Sequence, residues 1–262
     1  VSHYSRRILV PFFFFLTVLA VCAPRAAARE GSRAEAERLW EWAVAAKGGR
    51  ERLHAVHSIL ETSTWSKYRL VSLYAFPGRF WRWDYEPEPF GLSAEMINAE
   101  RRIGYVAHSD DPKSPHALGG DFPGTARYVN DEAQMYYLLE TNWLKPEPFE
   151  AAAGEVGGRR ADVVRAHVSG RQADFFFDRK THLPLKIVFP STNGEGPSVM
   201  LKDYSEVGGV MLPSKVSHHG NKYLTCSFVL NPDYDERVFE HTPTIEAGPD
   251  AWKRRESREL EF

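Results

Sequence analysis

Asp174-Phe175-Phe176-Phe177-Asp178, then Arg179-Lys180-Thr181-His182, then Leu183-Pro184-Leu185-Lys186-Ile187-Val188-Phe189 follow one another without interruption. Two β-rich runs flank four polar residues, and a connection of that length predicts a hairpin. Working outward, the breaker-rich segment from Pro190 to Pro197 precedes a run from Ser198 to Val207, which turns at Gly208-Gly209 into Val210 to His218. Gly220-Asn221 then turns the chain into Tyr223 to Leu230. Strands joined this tightly are antiparallel, because a parallel return needs a crossover of about a dozen residues or more. The whole stretch from Arg159 to Leu230 therefore reads as a meander, and the rest of the chain as what extends and covers its sheet.

The chain has 262 residues, of which 43% are hydrophobic and 26% charged, a balance ordinary for a globular protein with a sizeable core. Arg6-Arg7, an apolar run from Ile8 to Cys22 and the small residues Ala26-Ala27-Ala28 predict a cleavable export signal over residues 1–28. The expected location is periplasmic. The apolar run contains Pro11 and falls short of the ~20 residues that span a bilayer. The alternative is a membrane-anchored lipoprotein attached through Cys22. Without residues 1–28 the chain carries 30 Lys plus Arg against 35 Asp plus Glu, a formal charge of −5. Nucleic acid is not an expected partner, since no basic stripe is present to compensate a row of phosphates. Cys226 is then the single cysteine, and its alternation with Leu224, Phe228 and Leu230 reads as a buried small hydrophobe.

Before the meander, Leu39, Trp40, Ala43 and Val44 recur at helical spacing, predicting a helix over Arg33 to Lys47 that Gly48-Gly49 stops. Arg50 to Val56 forms a second short turn of helix. From His57 the period shifts toward two, with strands at Ser58 to Tyr68, Arg69 to Phe76 and Gly78 to Tyr85. In the third, Trp81, Trp83 and Tyr85 share one face while Arg82 and Asp84 take the other. Met96 to Ala107 reads as a further strand with Ile97, Ile103 and Tyr105 in one parity. His108 to Ala126 reads as a long loop. Arg127 to Leu144 returns to helical spacing through Tyr128, Met135, Leu138, Leu139 and Trp143. After Asn231-Pro232 comes a short amphipathic piece with Val238 and Phe239, then a charged, loosely held tail from Ala247 to Phe262.

The sequence has ten histidines but no His-Glu-x-x-His run, no cysteine pair, no Gly-x-Ser-x-Gly elbow and no phosphate-cradling loop. The adjacent His218-His219 point to opposite faces of a strand. His108, Asp110, Asp111, His116 and Asp121 could gather round an ion, which gives a metal-dependent hydrolase as a minor reading. A solvated acidic loop explains them with fewer assumptions. No metal, cofactor or catalytic residue is expected. What stands out is aromatic content on a sheet of roughly ten strands with two or three helices to cover it. Trp65, Trp81, Trp83, Tyr85 and Tyr105, with Phe175, Phe177 and Phe189, either fill a core or line a hollow on the concave side. Ile97, Ile103 and Met135 join them as candidate lining residues.

Four passages then carry a resemblance: Ala45-Ala46-Lys47-Gly48-Gly49 with Leu53 and Val56; Asp178-Arg179-Lys180-Thr181-His182-Leu183-Pro184; Asp203-Tyr204-Ser205-Glu206-Val207-Gly208-Gly209-Val210-Met211-Leu212-Pro213; and Asn231-Pro232 with Phe239. Together they resemble the LolA/LolB-like superfamily of periplasmic lipoprotein carriers and their receptor. The resemblance implies an α+β fold, an unclosed antiparallel half-barrel over residues 29–246 with a few helices on its concave side, and residues 247–262 as a tail. It implies a non-enzymatic carrier of lipid or lipoprotein acyl chains, touching membranes transiently. The alternative it carries is a periplasmic regulatory or scaffolding module that binds a protein partner.

Overall fold

The computed structural model describes residues 19–86, 91–111, 113–118, 122–190, 196–218, 220 and 222–254. Two helices, α1 (Leu19–Ala46) and α2 (Arg50–His54), precede strands β1 (Ser58–Trp65), β2 (Tyr68–Ala75), β3 (Arg79–Glu86), β4 (Gly91–Asn98), β5 (Ile103–His108) and β6 (His116–Ala117). Helix α3 (Phe122–Tyr137) leads to β7 (Glu147–Val156), β8 (Arg159–Val168), β9 (Arg171–Asp178), β10 (Pro184–Val188), β11 (Ser198–Val207), β12 (Val210–His218) and β13 (Leu224–Leu230). A 3-10 turn at Glu236–Phe239 follows.

All thirteen strands form one sheet in the order β6-β5-β4-β3-β2-β1-β13-β12-β11-β10-β9-β8-β7. Neighbours are antiparallel and the sheet does not close, so the architecture is the expected open half-barrel with helices on its concave face. Each half is a meander. The seam between them is β13, which lies between the first strand and β12.

Local chemistry makes the hairpins. At the β9–β10 turn, Asp178 Oδ1 accepts from the backbone N–H groups of Lys180 (2.9 Å) and Thr181 (3.0 Å), and His182 takes a φ of 56°. Between β11 and β12, Gly208 and Gly209 have φ of 58° and 80°, the positive values a two-residue hairpin turn needs. That turn also receives the end of α1. Met211 N donates to Lys47 O at 2.9 Å, and a Cβ on Gly48 would collide with the Gly209 carbonyl oxygen.

Helix α1 lies across β7 and β8, and its Trp40 meets Phe175 and Phe177 of β9 edge-on, with centroids 5.0 and 6.0 Å apart. Helix α3 lies across β2, β3 and β4. Between them, Met135, Tyr136, Tyr137, Leu138 and Leu139 join Leu39, Val44 and Leu53 in one core over the middle strands. The convex face of β1–β5 has its own cover. There Trp81, Trp83, Met96 and Phe239 form a second core, packed by Tyr234, Val238, Ile245 and Trp252.

Several expectations are corrected. Helix α1 begins at Leu19 rather than Arg33, and the sheet has thirteen strands rather than roughly ten. The span Met96 to Ala107 is a hairpin, turned where Asn98 Oδ1 accepts from Arg101 N at 3.1 Å. Register pairs Ile97 with Gly104, so Ile97 lies on the opposite face from Ile103 and Tyr105. The span read as a loop from His108 to Ala126 contains β6 and the start of α3 at Phe122. Helix α3 ends at Tyr137, not Leu144, because Leu139 is left-handed (φ 73°) and the N–H groups of Leu138 and Leu139 both return to Gln134 O. The tail is held as far as it is described, since Asp235 N donates to Trp252 O at 2.9 Å; residues 255–262, like 1–18 and Asp121, lie outside the described residues.

Candidate functional site on the concave face

The period-two alternation of β1–β5 sorts their side chains into two surfaces. Cross-strand register places Ile59, Tyr74, Phe80 and Ile97 in one row on the helix-covered face. The next row on that face is Glu61, Ser72, Arg82, Glu95 and Val106, and the one after it Ser63, Leu70, Asp84, Ser93 and His108. The apolar row is sealed under α3. The polar rows lead outward from it, with Tyr68, Asp84, Ser93, Glu95 and Val106 only half-buried.

Glu61 anchors the junction. Its carboxylate, 2% exposed, accepts from Tyr74 Oη at 3.2 Å, Tyr137 Oη at 2.9 Å and Ser63 Oγ. Burial, with Glu61 adjacent, holds both tyrosine hydroxyls far above their ordinary range, so they remain donors. Cys226 lies on the same face, its Sγ 3.0 Å from Ser63 Oγ. The expected buried thiol is what the structure contains.

The sequence-derived lining residues divide between the two surfaces. Ile97, Met135, Phe175, Phe177 and Phe189 belong to the concave-side core, where Trp40 covers Phe175 and Phe177, and Tyr136 meets Phe189 at 6.4 Å. Trp65 shares that face at the outer end of β1, 44% exposed, with Lys222 Nζ 4.3 Å from its ring centroid. Trp81, Trp83, Tyr85, Ile103 and Tyr105 lie on the convex face beneath the C-terminal segment. They share a face as read, but it is the one opposite the helices. Arg82 and Asp84, which the same alternation set against the tryptophans, are the residues that reach the concave side. Alternation reveals two faces of a strand; it does not reveal which one helices will cover.

On the convex side a pocket of about 260 Å³ opens between Trp81 and the segment carrying Asp235, Arg237, Val238, His241 and Thr244. It falls below the ~300–1,000 Å³ of typical ligand pockets. Its charges are already matched: Asp235 accepts from Arg237 Nε at 3.0 Å, and that bond holds the carboxyl down to about 2. Among the described residues no three of His, Cys, Asp and Glu gather as a metal site; His116 pairs with Asp111. No helix among them is long and apolar enough to cross a membrane.

No protein-family model matches the sequence, and no curated protein matches it. Among solved structures similar to the chain, a DUF1329 family protein from Desulfovibrio piger is 7% identical, with 78% of this chain and 97% of that one covered and a TM-score of 0.48. A LolA superfamily protein from Nitrosomonas europaea is 12% identical, with 75% and 96% covered and a TM-score of 0.44. A domain assigned to outer membrane lipoprotein sorting, from Vibrio parahaemolyticus, is 12% identical, with 78% and 97% covered and a TM-score of 0.42.

Proposed function

We propose that this chain is an exported, non-enzymatic carrier that holds the acyl chain of a lipid or lipoprotein between the concave face and helices α1 and α3. Residues 1–28 would direct export, and residues 29–246 would carry the binding fold. One observation supports the reading most. The concave apolar floor is continuous from Val164 on β8 to Ile97 on β4, yet its two long helices lie at opposite ends, on β7–β8 and on β2–β4. The middle strands are covered by side chains reaching in from helix ends, with Tyr137 4.8 Å from Phe228 and Tyr136 6.4 Å from Phe189. Displacing those rings uncovers floor without unpairing a strand.

In the closed form described here the rings fill the floor, so loading exchanges ring contacts for alkyl contacts. A sixteen-carbon chain gains on the order of 10 kcal/mol gross at ~0.8 kcal/mol per methylene, enough to offset displaced rings and ordering. The test is uptake of a fluorescent fatty acid, with native mass spectrometry of protein purified from the cell envelope. One acyl chain per protein is expected. No uptake and no co-purifying lipid would remove the reading.

A further inference from the structure

Arg82 and Glu95 are direct cross-strand partners on the concave face, where opposite charges ordinarily meet. Here they do not. The guanidinium is drawn back over the ring of Phe80, its Cζ 5.2 Å from the centroid. Among the described residues no carboxylate oxygen lies within ion-pair distance of it, and its Nε is shut off from water with no hydrogen-bond partner. Ser72 Oγ, the register partner of Arg82, is buried too, with the Tyr74 hydroxyl beside it.

The surrounding carboxylates are not equivalent. Glu61 is held by its three hydroxyl donors, and Asp84 accepts from Ser93 Oγ at 2.6 Å. Glu95 has no hydrogen-bond donor and no cation within ion-pair distance among the described residues, and burial pushes its carboxyl up against the more distant pull of Arg82 and His108. A guanidinium whose buried Nε has no acceptor, facing a half-buried carboxylate without a donor, costs stability, so the row is built for something it does not itself contain. An anion alone would satisfy Arg82 while standing among Glu61, Asp84 and Glu95. A cation alone would leave Arg82 unmet. A group bearing both charges answers both.

We propose that Arg82, Ser72 and Glu95 form a head-group site for a zwitterionic amphiphile, with a phosphate on Arg82 and Ser72 and an ammonium on Glu95. The half-buried rows toward Tyr68 and Ser93 give the head its approach, and Leu70 and Phe228 flank it on the same face. For the acyl part this rests on the carrier reading; the head-group chemistry stands on the Arg82 and Glu95 geometry.

The experiment incubates the full chain with vesicles of equal parts phosphatidylethanolamine and phosphatidylglycerol, and reads the bound lipid by native mass spectrometry. A parallel melt uses free O-phosphoethanolamine. The wild-type chain should prefer the ethanolamine lipid by about tenfold or more, as expected of a site whose buried polar groups go unpaired with the wrong ligand. Arg82→Met and Glu95→Gln should abolish that preference, and Arg82→Lys should keep part of it. If Arg82→Met does not fold, the wild-type preference and Glu95→Gln decide. Equal uptake of both lipids overturns the head-group site and leaves the carrier reading standing. A melt shift with the free compound but no lipid uptake supports the site and overturns the carrier. No uptake and no shift overturn both.

Discussion

Burial sets the chemistry of two single side chains, Cys226 and Lys47. The Cys226 thiol is pushed up to about 12 by burial, with the nearby Glu61 charge adding to it. Thiolate is the reactive form, so the native protein should react with a maleimide at least ~100-fold more slowly than the urea-unfolded chain. Equal rates would remove the buried-thiol assignment. Lys47 is fully buried, its ammonium lies 5.2 Å from the Tyr204 ring centroid, and burial lowers its pKa from 10.5 to about 7. Between those two values the unfolded chain holds the proton and the folded chain does not. Stability should therefore rise with pH across that window, and Lys47→Met should flatten the rise, as thermal melts at about pH 7 and pH 9.5 would report. Cys226 was legible because alternation with Leu224 and Phe228 fixes a buried parity. Lys47 was not, since a lysine just before Gly48-Gly49 looks like an ordinary charged helix end. Only the docking of that end on the β11–β12 turn buries it.

Among elements, the helices depend on a few polar ties. Trp40 of α1 donates from Nε1 to Glu140 Oε2 at 3.0 Å, and Arg50 of α2 donates from Nε to Glu140 Oε1 at 2.6 Å. Burial pushes the Glu140 carboxyl up, but the bonds from Arg50 and Trp40 outweigh it and leave it below the usual carboxylate range. That stability is present above the ordinary glutamate pKa of ~4.3 and is lost as pH falls through the lowered folded value. Glu140→Ala leaves the buried Trp40 N–H without an acceptor and should cost about 1–3 kcal/mol in urea melts at neutral pH. Gly48→Ala should cost roughly 2–5 kcal/mol, because φ is 124° there and the methyl would meet the Gly209 backbone. The hairpins around Gly208-Gly209 and Asp178 to His182 were readable because turn chemistry is local. Strand β7 was not, because its Ala151-Ala152-Ala153 run has little strand preference and is fixed by pairing with β8. Helix α1 contributes to that edge as well: Ser32 Oγ accepts from Ala151 N at 3.0 Å, covering part of a strand whose outer side pairs with no further strand among the described residues.

For the whole molecule, β13 decides whether there is one sheet or two. It pairs with β1 along six residues, from Ile59 with Leu230 to Thr64 with Thr225, and with β12 through Lys215 and Val216. A proline at Val229, whose N–H faces β1 in the register set by the Asn231 N to Ser58 O bond, removes a ladder donor from an interior strand, a change costing about 3 kcal/mol or more. Hydrogen exchange should then show amides of β1 and β12 losing protection together while β8 and β9 keep theirs. Uniform loss across the sheet would mean that the two halves do not fold separately. The sequence predicted the second meander through its turns, but not this seam, because nothing local in Leu224 to Leu230 says which strand lies on its far side. Synthesis runs from the amino end, so the strip that fastens the two halves leaves the ribosome after both of them. Until then the growing polypeptide has two raw borders facing each other. Any chaperone or translocation channel that handles it meets a form still unlatched.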